Sequence, residues 1–173
     1  MTDRPRPTGR EVTFGEDEII VSKTDPQGRI TYCNDVFIRI AGYPESRLIG
    51  APHSIIRHPD MPRAVFKLLW DRLQAEQEVF AYVLNLSSAG DGYWVLAHVT
   101  PSITETGTLT GYHSNRRKPR ADAVDRVRGL YRDLLGIEGS APNRKDGLIA
   151  SSEALSAQLD RIGVDYDQFV LAL

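Results

Sequence analysis

Midway along the chain the spacing of apolar residues changes from a period of about 3.6 to a period of 2, which argues for a helix running directly into antiparallel strands. From Met61 to Ala75, Ala64, Val65, Leu68, Leu69 and Leu73 fall at helical spacing. Pro62 is tolerated in the first turn and Asp60 is placed as the N-cap. Past Gln77, Val79, Ala81, Val83 and Asn85 share one strand face, while Phe80, Tyr82, Leu84 and Leu86 share the other. Ser87 to Gly92 reads as a turn, and Tyr93 to Thr100 returns with Tyr93, Val95, Ala97 and Val99 on one face and Trp94, Leu96 and His98 on the outer one. Thr106-Gly107 turns again into a strand from Leu109 to Arg116. A sheet this apolar on both faces needs a cover on each.

The preceding residues supply two more strands. Ile19-Ile20-Val21 begins one, Asp25-Pro26-Gln27-Gly28 has the residue order of a tight turn, and Arg29 to Cys33 returns. Asn34 or Asp35 then caps a short helix carrying Val36, Phe37, Ile40 and Ala41, and Gly42 ends it. Pro44 to Gly50 is a single helical turn, and the prolines between Ala51 and Pro62 forbid a long regular helix there. The expected fold class is therefore α+β: a five-stranded antiparallel sheet with helices inserted between strands 2 and 3, plus C-terminal helices. In that tail, Val124, Val127, Tyr131 and Leu134 form one apolar seam and Leu148, Leu155, Leu159 and Ile162 another, with Gly136 to Gly147 read as a polar linker and a last helical turn or two after Asp165. These seams must pack on the domain or on another chain.

Composition excludes several functions. The formal charge is −2, and the only basic run is Arg116-Arg117-Lys118-Pro119-Arg120, so no nucleic-acid footprint is expected. A lone Cys33 and four scattered histidines make neither a disulfide nor a zinc module, and His53 and His58 are poorly spaced as a metal pair. A reducing, cytoplasmic setting is the simplest fit. The first dozen residues are polar and proline-rich, a disordered lead without the apolar core of a signal peptide, and no stretch approaches about 18 uninterrupted apolar residues, so no membrane insertion is expected. The expected organisation is a flexible N-terminal lead or cap over 1–17, a sensor domain over 18–118 and a helical extension over 119–173. No nucleophile-base pattern, phosphate loop or metal motif is present, and the expectation is a protein that is not an enzyme.

The order of elements, together with Asp25 to Gly28, Tyr32-Cys33-Asn34-Asp35, Gly42-Tyr43, Leu48-Ile49-Gly50, Arg57-His58-Pro59-Asp60-Met61-Pro62, Trp70, Gly92-Tyr93-Trp94-Val95 and Gly111-Tyr112, resembles a PAS domain of the aerotaxis-receptor type. The resemblance runs from about Ile19 to Arg117, and its most specific word is Arg-His-Pro-Asp-Met-Pro. It implies a cofactor cleft between the sheet and the inserted helices, with non-covalent FAD rather than FMN as the cofactor. It also implies a sensor reporting redox or oxygen status. With no transmembrane segment or signalling coiled coil expected here, the output goes to a separate signalling partner or through a homodimer. A haem sensor using His58, His98 or His113, and a cofactor-free interaction module, are the alternatives.

Within that resemblance Arg57, His58 and Asp60 fall in the segment near the flavin. Arg57 is suited to a pyrophosphate, while His58 and Asp60 also fit local loop organisation and helix capping. Asn85 is the single amide on an otherwise apolar face and pairs chemically with an isoalloxazine edge, since a buried amide demands partners; the alternative is an edge amide satisfied by backbone or solvent. His113 stands on the last strand, where light-oxygen-voltage domains place a Gln beside the ring, and is read either as facing the flavin or as a surface imidazole. Trp70 lies near the flavin in the family and otherwise packs at the edge of the helix stripe. Phe37 and Phe66 wall the cleft or serve packing, and Asn34 is a site amide or a helix cap. The helix that carries an adduct-forming cysteine in light-oxygen-voltage domains has none here.

Overall fold

The structure, a computed structural model, describes residues 4–173; the first three residues of the predicted lead lie outside the described residues. Strand β1 (Ile20–Thr24) turns into β2 (Ile30–Cys33), and α1 (Asp35–Ala41), α2 (Glu45–Leu48), a 3-10 turn (His53–Ile56) and α3 (Arg63–Gln74) follow. Strands β3 (Val79–Leu86), β4 (Gly92–Ile103) and β5 (Leu109–Arg117) complete the sheet before α4 (Ala121–Ser140), α5 (Arg144–Ile162) and α6 (Tyr166–Ala172). The strand order is β2-β1-β5-β4-β3, antiparallel throughout, and the helices inserted between β2 and β3 lie over one face.

Local chemistry sets the turns. The Asp25 carboxylate accepts from the backbone N–H groups of Gln27 and Arg29 at 2.9 and 2.8 Å, and Gly28 takes a left-handed φ of 77°. The β3–β4 ladder pairs Val79 with Val99, Ala81 with Ala97, Val83 with Val95 and Asn85 with Tyr93, so the predicted alternation is realised pair by pair. Trp94 and Leu96 consequently lie on the opposite face.

That opposite face is covered by α4 of the same chain. Tyr131 of α4 stacks on Trp94 with ring centroids 6.0 Å apart and donates its hydroxyl to the Tyr82 carbonyl at 2.5 Å. Leu155 and Leu159 of the second predicted seam are buried in the chain's own core, whereas Ile162 is exposed. Asp167 of α6 accepts from the backbone N–H of Phe80 at 3.2 Å and pairs with Arg72 of α3, so α6 joins β3 to the helix on the other side of the sheet.

Three local expectations are corrected. The polar linker predicted over Gly136 to Gly147 is mostly helix, because Glu138 is buried and accepts from Arg63 Nε, the Ala64 N–H and Ser151 Oγ, which holds the end of α4 in place. A Cβ on Gly147 would lie 2.7 Å from the Glu138 carbonyl oxygen, so this glycine permits the close approach of α5 to α4. Helix α3 starts at Arg63 with Pro62 in the cap position and no side-chain cap, so Asp60 does not cap it. The segment over residues 8–12 is not a free lead. It runs along the β3–β4 turn, where Thr8 N and Val12 N each donate at 2.8 Å to the carbonyls of Gly90 and Gly92, and Arg10 pairs with Asp91. Glu11 accepts from Arg128 of α4 at 2.7 and 3.1 Å, fastening this segment to the outer-face helix.

Candidate functional site

Between the sheet and α3 lies a cavity of about 320 Å³. Its floor is made of small side chains on the inner strands: Ser22 of β1, Ala97 of β4 and Ser114 of β5, with Val83 and Asn85 of β3 beside them. Large aliphatics at those positions would fill the space that the small ones leave open. Phe66, Leu69, Trp70 and Leu73 of α3 form the roof, and Pro52 to Arg57 close one side. None of the lining residues is Asp or Glu.

Four of the residues singled out in the sequence meet there: Arg57, Phe66, Trp70 and Asn85. The Asn85 side chain is buried and enters no hydrogen bond with the protein among the described residues, while its backbone bridges to that of Arg57. The Arg57 guanidinium lies 3.9 Å over the Phe66 ring and has no carboxylate partner among the described residues. Burial, then the nearby charge of Arg4, lowers its pKa. Trp70 is half-exposed at the cavity mouth and meets Tyr112 edge-on at 5.4 Å.

The other candidates lie outside the cavity. The Asn34 carbonyl oxygen accepts from Phe37 N and Val21 N, and its amide donates to the Ile19 carbonyl, so the side chain is fully used as a cap and a strand tie. Phe37 is buried behind the cavity wall, stacked 6.0 Å from His53. His58 is buried, its Nδ1 accepting from the Asp60 N–H at 3.0 Å, and burial lowers its pKa. The Asp60 side chain is mostly exposed, as expected for a loop residue held by its backbone. His113 shares the outward face of β5 with Asn115, its hydrogen-bond partner, because strand side chains alternate and the inward set is Tyr112, Ser114 and Arg116. His98 is also on the outer face, stacked on Phe80 and bonded to Glu78. The three histidines considered as haem ligands thus lie outside the cavity.

Arg116, Ser22 and His53 also line the cavity, and none of them is among the site residues expected from the sequence. Arg116 is 2% exposed, and its guanidinium lies 4.6 Å over the Phe37 ring. It donates through Nη2 to Ser22 Oγ, and Nε and Nη1 have no partner among the described residues. With Ser22 accepting from Arg116, its own proton goes to His53 Nε2, 3.0 Å away, which places the imidazole proton on Nδ1. Burial and the Arg116 charge push His53 down to about 3, so it is neutral at pH 7. Burial lowers Arg116 to about 10, which leaves it charged. Residues 113 to 117 are all polar, so no alternation in the sequence signals that Arg116 points inward.

The cleft can therefore hold a flat, mostly apolar molecule with hydrogen-bonding groups at its edge. An amide stands on one side, a buried cation at the closed end and a second cation towards the mouth. Its dimensions match the smaller ligand pockets of proteins, so a ring system fits and a longer ligand extends outward.

The PAS fold family matches residues 19–114. The chain is 36% identical over 134 residues to the aerotaxis receptor of Escherichia coli strain K12, an alignment covering 78% of this chain and 26% of the receptor. It is 27% identical over 99 residues to a nitrogen fixation regulatory protein of Klebsiella pneumoniae, covering 57% of this chain and 20% of that protein. It thus spans about a quarter or less of these relatives. Among solved structures, a light-oxygen-voltage domain from work on a flavin analogue superposes with a TM-score of 0.57 at 16% identity, covering 66% of this chain and 86% of that one. The light state of the Aureochrome1 LOV photoreceptor superposes with a TM-score of 0.55 at 20% identity, covering 70% and 93%. The sheet order, the inserted helices over the cleft and these alignments agree: the chain belongs to the PAS fold family.

Proposed function

We propose that the cleft binds a flavin, with FAD as the form whose chain extends outward past Arg57, and that the protein reports redox or oxygen status to a separate partner or a second copy of itself. The observation that carries this reading is the buried Asn85 amide, unpartnered and facing an apolar cavity that contains no carboxylate. A flavin edge offers the acceptors and the donor that such an amide needs. Phe66, Leu69 and Leu73 on α3 and Val83, Ala97 and Val99 on the sheet would hold the two faces of the ring, with Trp70 and Tyr112 beside it. Arg57 is available for a pyrophosphate leaving the mouth. The bound flavin supplies reversible uptake of electrons; the chain supplies enclosure, orientation and charge. The names of two relatives, an aerotaxis receptor and a blue-light-activated histidine kinase, support a signalling role.

The route outward runs through α3, which forms the cavity roof and is tied to α4 by Arg63 and Glu138 and to α6 by Arg72 and Asp167. No helix among the described residues is long and apolar enough to cross a membrane. Calorimetric titration of flavin-free protein with FAD, FMN and riboflavin tests the reading. FAD binds tightest at one per chain, and Asn85→Leu weakens all three by tenfold or more. Equal weak binding of all three, unaffected by Asn85→Leu, contradicts it.

A further inference from the structure

We propose that Arg116 is the fixed charge that sets the redox balance of the cleft, holding the reduced ring as an anion. This deepens the flavin reading above and rests on it.

Arg116 is a buried cation without a counterion: its one hydrogen bond goes to a neutral hydroxyl, and no carboxylate pairs with it among the described residues. The titratable groups facing it are His53 from the 3-10 turn, Tyr93 from β4 and Cys33 from β2. Burial raises the Tyr93 hydroxyl and the Cys33 thiol, and His53 is held neutral, so all three are uncharged at pH 7. A guanidinium in that setting has lost its hydration without gaining an anion. An oxidised, neutral ring leaves this uncompensated. A ring that takes up two electrons and one proton, from a low-potential donor such as dithionite, carries one negative charge after N5 is protonated, spread over N1 and the C2 carbonyl. The cavity lining offers no carboxylic acid to deliver a second proton. Arg116 therefore stabilises the reduced ring more than the oxidised one, and by linkage the reduction potential rises.

The test is a dye-coupled reductive titration of the full chain loaded with FAD, between pH 6 and pH 8. Wild type takes up one proton per two electrons throughout. Arg116→Gln takes up two at pH 6, and at pH 8 its reduced form loses at least tenfold in relative stability, which is about 30 mV for a two-electron couple. Two protons per two electrons in loaded wild type at pH 6, or an Arg116→Gln balance within threefold of wild type, overturns the proposal while leaving flavin binding intact. Should Arg116→Gln fail to fold, the wild-type proton count decides alone. A wild-type chain that takes no flavin defeats the binding reading, and this inference falls with it.

Discussion

Arg63 Nε, at the first turn of α3, donates to Glu138 Oε2 near the end of α4 at 2.9 Å. The same carboxylate accepts from the Ala64 N–H and from Ser151 of α5, so one buried anion fastens the cavity roof to two C-terminal helices. Removing one partner of a buried pair leaves the other uncompensated, at a cost of about 3 kcal/mol. Glu138→Ala is expected to lose that much in urea unfolding and Glu138→Gln, which keeps part of the hydrogen bonding, about half. A Glu138→Ala protein as stable as wild type would show that the tie contributes nothing.

On the outer face the Tyr131 hydroxyl satisfies the Tyr82 carbonyl of β3, an edge strand. Tyr131→Phe keeps the ring on Trp94 and removes the hydroxyl that bonds the Tyr82 carbonyl and meets the Tyr166 side chain, so a loss of about 1 kcal/mol is expected. Hydrogen exchange of β3 amides should rise in the same variant. Exchange confined to its wild-type rate would place the protection elsewhere.

Acid should weaken the flavin-free protein already between pH 7 and pH 5. His53 binds a proton near pH 6.5 when unfolded and near 3 when folded, so the unfolded chain holds more protons between those values and stability falls as pH drops through that window. From pH 7 to 5 the expected loss is about 2 kcal/mol. His58, also lowered by burial, adds in the same direction. The lowered carboxylates Glu11, Glu18, Asp91 and Asp122 contribute only below their ordinary values. His53→Gln should flatten the slope between pH 7 and 5 in chemical denaturation, and an unchanged slope would contradict the neutral His53 assignment.

Arg57 distinguishes the ring from its chain. Arg57→Gln is expected to weaken FAD by about tenfold, the order of one charge-assisted contact to phosphate, and to leave riboflavin within twofold. Equal losses for both ligands would move Arg57 from the phosphate to the ring or to packing on Phe66.

The central ladder is legible because the period of 2 over Val79 to Leu86 and Tyr93 to Thr100 sorts the residues into two faces, and the structure shows that the face holding Asn85 is the inner one and the face holding Trp94 the outer one. On β5 the residues from Tyr112 to Arg117 include no aliphatic pattern, so the strand was legible but its phase was not. The sequence therefore leaves His113 open between the cleft and the surface; the structure puts it on the outward face, and Arg116, three residues on and therefore on the other face, lines the cavity. Glycine at 136 and 139 signalled a stop that helix α4 ignores. The signal was overridden by a contact distant in sequence, Glu138 with Arg63, which local propensity does not contain. Asp60 had the right position for a cap, but the helix begins after Pro62 and leaves its side chain in solvent.

Whether a flavin occupies the cleft is read from the absorption spectrum of the purified full chain, before and after incubation with FAD and desalting. The expected spectrum has the two visible bands of an oxidised flavin at one per chain, bleached by dithionite and restored by air, with FAD released on acid denaturation. A Soret band, or no retained visible absorption after FAD incubation of folded protein, would contradict it.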